Sequence, residues 1–338
     1  MKDFSSLKNL AHYPVMLREI IEICKPEKGG YFVDCTFGAG GYTNAILSFP
    51  KTKVIAIDRD KNVEKFAKET KKRYRDRFSF HNNKFSELDK LIDPSNKPDF
   101  IIFDLGLSSL QLSNLDRGFS FLSKNKLDMR MGLNSISANS LLNSFEQKTL
   151  EKIFKILGDE KESRKISKNI VSQRETKPII TVPQLVDIIK KSKKKNFKKK
   201  INPSTKTFQA IRIFVNKENS ELIEGLIFAA KMLKKGGKLI VISFHSIEDR
   251  IVKYFFNNYC KNKSKTSRYI PDKNEITKSL FENYKNKRIK PARDEINENH
   301  SSRSATLRFV TRSNDDFFYP NDFKERFSIY LELEKKNV

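Results

Sequence analysis

Three glycines between two acidic residues form the segment whose residue types and spacing are best suited to chemistry. Asp34 ends an apolar run, Gly38, Gly40 and Gly41 follow it, and Asp58 ends the next apolar run, twenty residues after Gly38. A strand, a glycine loop, a helix and a second strand ending on an acid are how a parallel sheet builds a nucleoside site. The glycines let a ligand approach the backbone. The acid can accept hydrogen bonds from both hydroxyls of a ribose.

The positions of the glycines separate two cofactor classes. The dinucleotide fingerprint is G-x-G-x-x-G, and Thr43 occupies its third glycine position here. The pattern that fits is acid-x-x-x-G-x-G, formed by Asp34, Gly38 and Gly40. This is the opening motif of S-adenosylmethionine-dependent methyltransferases. With Asp58 it favours S-adenosylmethionine as cofactor, and a nicotinamide oxidoreductase becomes the disfavoured alternative.

The elements that must position these residues are the strands of a parallel sheet. Apolar runs predict strands ending near residues 34, 58, 80, 104 and 243, and alternation predicts a terminal strand over 304–311. Asp104 follows the fourth run directly, and His245 follows the fifth. Ligands of doubly wound sheets bind beyond the carboxyl ends of the strands. We therefore expect Asp34, Asp58 and Asp104 at one edge, with His245 as a further catalytic candidate there.

The interval between the fourth and fifth strands is too long for one crossover helix. Helical patterns within it cover 137–157, 160–173 and 182–195. The sequence therefore predicts an α/β fold with a doubly wound, mainly parallel sheet and an inserted helical subdomain. Residues 1–108 and 214–338 would form the discontinuous catalytic domain, and 109–213 the insertion that recognises the substrate.

Basic residues far outnumber acidic ones. Lys and Arg total 67 against 41 acids, a formal net charge of +26, and eight of the eleven residues from Lys190 to Lys200 are lysines. An excess of this size indicates a polyanionic partner, most simply nucleic acid. The three cysteines match no zinc spacing, and no metal site is predicted. Without a secretory signal or a membrane-length apolar run at hand, we expect a cytoplasmic protein without a membrane partner.

Several further blocks occur in an order that resembles one known family. They are His12–Met16, Asp104–Leu112, Asp116–Phe121, Leu127–Met131, Thr207–Ile213 and Ser243–Arg250, in addition to the glycine loop. Together they resemble the bacterial small-subunit ribosomal RNA methyltransferase H proteins, the MraW family, from about His12 to Arg308. The resemblance implies a class I methyltransferase fold and S-adenosylmethionine-dependent N4-methylation of a decoding-centre cytidine in 16S ribosomal RNA.

The same resemblance implies site residues. The cofactor contacts of the family fall on Gly40, Gly41 and Tyr42, where the family commonly has histidine at the position of Tyr42. By the same correspondence, Phe85 would lie against the adenine and Gln111 would complete the cofactor site. Further contacts fall on Asp58, at the ribose, and on Asp104, while Asp34 and Gly38 would shape the loop.

The chemistry of a cytosine amino group gives Asp104 a second role. Its nitrogen is a poor nucleophile, and an acceptor for the N4–H would favour the reactive geometry and could take the proton. Phe119 and Phe121 could stack an unpaired base, although core packing is the default for both. Asp128 and Arg130 could contact RNA or pair with each other.

Two other functions stay open on the sequence alone. One is an amino methyltransferase acting on DNA or another RNA, and the other is a non-catalytic RNA-binding protein on a methyltransferase scaffold. The oligomeric state is not readable, and a dimer remains open.

Overall fold

The computed structural model describes residues 14–134, 136–193, 202–261 and 278–336. His12 and most of the lysine block, residues 194–200, lie outside the described residues. The chain divides into two compact units. The described part of the first is 14–106 with 221–324, and that of the second is 107–220 with 325–336.

The first unit is built on a seven-stranded sheet in the order β3-β2-β1-β4-β5-β7-β6. Its strands are β1 (Gly30–Asp34), β2 (Thr52–Ile57), β3 (Phe78–His81), β4 (Phe100–Asp104), β5 (Lys238–Ser243), β6 (Phe281–Glu282) and β7 (Thr306–Arg312). The strands from β1 to β5 pair in parallel, whereas β7 runs antiparallel to β5 and to β6. The predicted α/β class with a doubly wound, mainly parallel sheet is confirmed.

The chain order of the strands reverses between β1 and β4. Asp34 pairs with Ile102 across these two strands, and the sheet then extends in opposite directions on either side. Phe32 and Phe103, on β1 and β4, are fully buried, as strands covered on both faces require. A reversal of this kind opens a crevice at the carboxyl ends of the strands.

Helices of the first unit flank the sheet. They are α1 (Leu17–Cys24), α2 (Gly41–Leu47), α3 (Glu64–Tyr74), α4 (Leu88–Leu91), α11 (Glu218–Met232, from residue 221), α12 (Ser246–Asn258), α13 (Arg293–Glu298) and most of α14 (Asn321–Arg326). Among the residues that the structure describes, no helix has the length and apolar character to cross a membrane.

The second unit is helical. It contains α5 (Ser109–Ser113), α6 (Ala138–Ser144), α7 (Gln147–Gly158), α8 (Ser163–Thr176), α9 (Val182–Ser192), α10 (Thr205–Asn216) and α15 (Ser328–Glu334). Helices α7 and α10 pack closely, and a Cβ at Gly158 would collide with the Lys206 carbonyl oxygen. The apolar face of α7, including Ile153 and Phe154, is fully buried.

Some sequence expectations differ from the structure. The predicted helix over 137–157 is two helices, because Phe145 and Glu146 adopt extended backbone between α6 and α7. The helix predicted to begin at 182 ends at Ser192, and strand β7 begins at Thr306 because a 3₁₀ turn, His300–Ser304, precedes it. The short strand β6 has no counterpart in the sequence interpretation.

The C-terminal residues, assigned from the sequence to the catalytic domain, belong to the second unit. Glu334 is buried, and its carboxylate accepts hydrogen bonds from the backbone N–H groups of Asn219 (3.2 Å) and Ser220 (2.8 Å) and from the Ser220 hydroxyl (2.6 Å). A carboxylate on the first N–H groups of a helix stabilises the helix start. The compact units divide the chain at 106/107, 220/221 and 324/325, and the first two boundaries lie a few residues outside the predicted insertion of 109–213.

Candidate functional site

The glycine loop between β1 and α2 has a backbone that only glycine adopts easily. Gly38 and Gly40 have φ of +54° and +80°. A Cβ at Gly40 would also lie 2.9 Å from the Phe37 ring and 2.8 Å from Asn44 Nδ2. Conformation and space both require glycine here, so the loop presents bare backbone at the end of β1.

The Asp34 side chain fixes the conformation of this loop. Its carboxylate is fully buried and accepts hydrogen bonds from the Thr36 N–H (3.2 Å) and the Thr43 hydroxyl (2.7 Å). Burial raises the pKa of Asp34 to about 6, while the Thr43 and Thr36 hydrogen bonds oppose the rise. Thr43, which breaks the dinucleotide fingerprint, is thus the partner of the strand-end acid. Asp34 shapes the loop rather than facing solvent.

Asp58, at the end of β2, is held by two backbone groups. Oδ2 accepts from the Gly38 N–H at 2.8 Å, and Oδ1 accepts from the Asp60 N–H at 2.9 Å. A carboxylate offers about four acceptor positions, so each oxygen retains capacity for a ligand hydroxyl. Burial raises the pKa of Asp58 to about 6. The acid therefore stands beside the glycine loop, already oriented.

Asp104, at the end of β4, has the most perturbed proton affinity of the three acids. Burial, followed by the nearby negative charge of Asp34, raises its pKa to about 8, and the polar Tyr42 hydroxyl nearby opposes the rise. Its backbone N–H donates to the Thr36 hydroxyl at 2.8 Å. Oδ1 is buried and has no hydrogen-bond partner among the described residues. A buried oxygen without a partner is costly unless a ligand completes it.

Tyr42 joins the glycine loop to the segment before α1. Its side chain is 3% exposed, and its hydroxyl donates to the Val15 carbonyl at 2.5 Å. The next residue of that segment, Met16, donates its backbone N–H to Glu295 Oε1 at 2.6 Å. The Tyr42 side chain therefore binds protein groups, and a cofactor contact at this position would involve the backbone. The Val15 and Glu295 contacts connect distant parts of the chain, and sequence reasoning missed them.

Phe85 lies in a 3₁₀ turn, Phe85–Glu87, after β3. The ring is half-buried and meets Phe103 edge-on, with centroids 5.2 Å apart and an interplanar angle of 90°. Because Phe103 immediately precedes Asp104, the aromatic candidate and the acidic candidate are connected through β4. One face of the ring can still serve as a stacking surface.

His245 caps a helix in this structure. It is the N-cap residue of α12: its Nδ1 accepts from the Glu248 N–H at 3.5 Å, and Glu248 Oε2 accepts from the His245 N–H at 3.3 Å. This reciprocal capping box explains why a histidine and a glutamate occur three residues apart. The geometry gives His245 a structural task, and a catalytic role stays a prediction.

The remaining candidates lie in the second unit. Gln111 is buried and forms a capping box with Ser108 at the start of α5. Phe119 is 6% exposed, so it is a core residue rather than a base platform. Asp128 and Arg130 pair with each other, with Oδ1 to Nε at 2.8 Å and Oδ2 to Nη2 at 2.7 Å.

Phe121 is half-buried and lies edge-on to Phe208, with centroids 6.3 Å apart.

Comparison with known proteins identifies the family. The MraW methylase family matches residues 9–313. The chain belongs to this family. It is 42% identical over 307 residues to the ribosomal RNA small subunit methyltransferase H of Ehrlichia canis, covering 89% of this chain and 99% of that protein. It is 43% identical over 306 residues to the protein of the same name from Wolbachia sp. subsp. Drosophila simulans, covering 90% and 99%.

In this MraW family member, most of the predicted cofactor residues lie in the first unit. The loop from Gly38 to Tyr42 lies between Asp34 and Asp58, and both Asp34 and Tyr42 act on the pKa of Asp104. Phe85 reaches β4 through Phe103. Roles in cofactor binding stay predictions for these residues and for Gln111, whose surroundings are described in the second unit.

Proposed function

We propose that this protein transfers a methyl group from S-adenosylmethionine to the exocyclic N4 of a decoding-centre cytidine in small-subunit ribosomal RNA. Family membership and the names of the relatives support methyl transfer to small-subunit ribosomal RNA. The observation that carries the proposal is the Asp104 carboxyl: its pKa is raised to about 8, and its buried Oδ1 has no partner among the described residues.

The residues of the first unit fit S-adenosylmethionine. The loop at Gly38 and Gly40 exposes backbone, Asp58 retains acceptor positions for ribose hydroxyls, and Phe85 offers an aromatic face for an adenine. Three carboxyls with raised pKa values also make this edge attractive to a cation. The cofactor supplies an electrophilic methyl group on a positively charged sulfur.

Asp104 would provide the chemistry that the protein must add. A carboxylate oxygen accepting a hydrogen bond from N4–H localises the nitrogen lone pair, so that it can form the new N–C bond as the S–C bond breaks. The nitrogen then carries a positive charge, and Asp104 accepts the excess proton directly or through water. A pKa near 8 is suited to proton transfer close to neutral pH.

The RNA partner is supported by charge. The net charge of +26 attracts phosphates, and the second unit contributes the exposed residues Lys124, Lys126 and Arg130. Phosphate contacts position a protein on RNA and weaken as salt rises. We infer that the helical unit helps to hold the substrate.

The test is methyl transfer from labelled S-adenosylmethionine to small ribosomal subunits from a strain lacking this modification, followed by nucleoside analysis. We expect the label in N4-methylcytidine, and none in large subunits or duplex DNA incubated in parallel. Asp104→Asn should lower the rate while calorimetry still shows cofactor binding. Cofactor binding without label in the subunits would overturn the substrate, whereas absence of cofactor binding would overturn the enzyme.

A further inference from the structure

A glycine in the interior of a helix lies directly against the Phe85 ring. Gly225 is near the middle of α11, where glycine is less favourable than alanine. A Cβ at this position would lie 2.6 Å from Phe85 Cδ2, 3.1 Å from Phe85 Cε2 and 3.3 Å from Phe103 Cε1. Carbon atoms in favourable contact are about 3.5–4.0 Å apart. The ring could not keep its place beside a larger residue at 225.

A second contact holds the Lys84–Phe85 segment against the same face of α11. Glu221 lies one helical turn before Gly225, and residues four apart share a face. Glu221 is buried, and its Oε1 is 3.6 Å from the Lys84 ammonium. Lys84 and Phe85 are neighbours in sequence. The same face of α11 therefore contacts Lys84 through the Glu221 carboxylate and the Phe85 ring through the Gly225 backbone.

The Phe85 ring also contacts the sheet. Phe103 is fully buried in β4 and meets Phe85 edge-on at 5.2 Å. A fully buried strand residue cannot move to accommodate a displaced neighbour without disturbing the sheet. The contacts with Phe103 and with the backbone of Gly225 together restrict the position of the Phe85 ring.

We propose that Gly225 is a positioning residue for the cofactor: by contributing no side chain, it sets the place of the Phe85 ring and so the surface on which the adenine stacks. This inference rests on the proposed function, in which Phe85 lies against the adenine. Gly225 itself touches no substrate. Its effect passes through the ring, and it accounts for a glycine where helix propensity favours alanine.

The test is Gly225→Ala in the full-length protein, with calorimetric binding of S-adenosylmethionine and of S-adenosylhomocysteine. A Cβ would displace the ring by about 1 Å. We expect both dissociation constants to rise about tenfold, at the lower end of what loss of one base–aromatic stack causes. The KM for S-adenosylmethionine should rise in parallel while kcat at saturation changes less than about twofold. The melting temperature should change little, because the helix propensity that alanine adds, about 1 kcal/mol, offsets the cost of displacing the ring.

A double-mutant cycle separates positioning from general damage. In a Phe85→Leu background, where the ring is absent, Gly225→Ala should change cofactor affinity less than about twofold. Lys231→Ala is the matched control, because Lys231 is on the same helix and pairs with Asp89 at 3.6 Å but adds no volume beside the ring. It should leave both dissociation constants unchanged.

Several results would overturn the inference. Equal cofactor affinity in the wild type and Gly225→Ala would do so, as would an equal loss in the Phe85 and Phe85→Leu backgrounds. If Gly225→Ala unfolds while the double variant folds and binds as Phe85→Leu does, the glycine serves packing only and the inference also fails. A wild-type protein that binds no S-adenosylmethionine would instead refute the proposed function on which the inference rests.

Discussion

Replacing Asp104 by asparagine should stabilise the protein without cofactor and impair its activity. The folded structure raises the pKa of this carboxyl from 3.8 to about 8. At 1.36 kcal/mol per pH unit, this shift corresponds to a free-energy cost of at most about 6 kcal/mol for keeping the carboxylate charged in the folded state. The carboxyl is half-buried and partial solvent access reduces the penalty, so we expect about 2 kcal/mol. Asparagine has a similar shape and carries no charge.

The pH dependence of the free energy of unfolding shows whether the ionisation of Asp104 causes the difference in stability. Because the folded-state pKa is raised, the unfolded chain binds fewer protons at this group between pH 4 and pH 8, and the free energy of unfolding falls as pH rises through that range. Asp104→Asn removes this contribution. The free energies of unfolding of the two proteins should differ by only about 0.5 kcal/mol at pH 4, close to the unfolded-state pKa of 3.8, and the variant should be about 2 kcal/mol more stable at pH 8.

The assay is urea unfolding of cofactor-free protein at pH 4, 6 and 8, paired with turnover at pH 8. Asp76→Asn, which removes an exposed carboxyl outside this site, is the matched control. Turnover of Asp104→Asn should fall about a hundredfold, as for loss of a general base. A stability difference that does not grow with pH, or turnover at the wild-type rate, would refute the reasoning.

Three further predictions concern the cofactor, the proton and the RNA. Asp58→Asn should raise the dissociation constant for S-adenosylmethionine about tenfold in calorimetry, because hydrogen bonds to a charged acceptor are worth about 1.5–3 kcal/mol; unchanged affinity would exclude ribose contact. Tyr42→Phe should move the acidic limb of the pH profile of kcat/KM to higher pH, because the hydroxyl lowers the pKa of Asp104. An unmoved limb would contradict this effect of Tyr42 on Asp104. The KM for ribosomal subunits should rise steeply with salt in steady-state assays, and a flat response would argue against phosphate contacts.

The parts of the site predicted from sequence depend on local order along the chain. Asp34, the glycines and Asp58 could be read directly, because strand ends and positive φ angles leave a residue signature within about ten positions. The apolar runs of strand length predicted the strands β1 to β5 of a mainly parallel sheet, but not their order in it. Alternation also indicated β7, whose exact start needed knowledge of the preceding 3₁₀ turn.

The contacts that sequence could not give join residues far apart in the chain. Gly225 is 140 positions from Phe85, and Glu295 is 279 from Met16. Nothing in the sequence near Glu334 shows that its carboxylate meets the start of α11. A periodic pattern shows which residues are apolar and leaves open which partners they meet.

The raised pKa of Asp104 also couples its proton to the charge of the cofactor. A sulfonium held at this edge favours the carboxylate, so binding of S-adenosylmethionine should release a proton, whereas neutral S-adenosylhomocysteine should not. The ratio of the affinity for S-adenosylmethionine to that for S-adenosylhomocysteine should therefore increase by up to about tenfold for each unit that the pH rises toward the Asp104 pKa of about 8. Calorimetry in buffers of different ionisation enthalpy measures both the ratio and the proton released. Asp104→Asn should abolish the part of the pH dependence that this carboxyl contributes, and a variant that keeps the full dependence would place the coupled proton on another group. If the wild type releases this proton, the bound cation converts Asp104, the proposed base, to its charged form, whereas without cofactor its pKa of about 8 keeps it largely protonated at neutral pH.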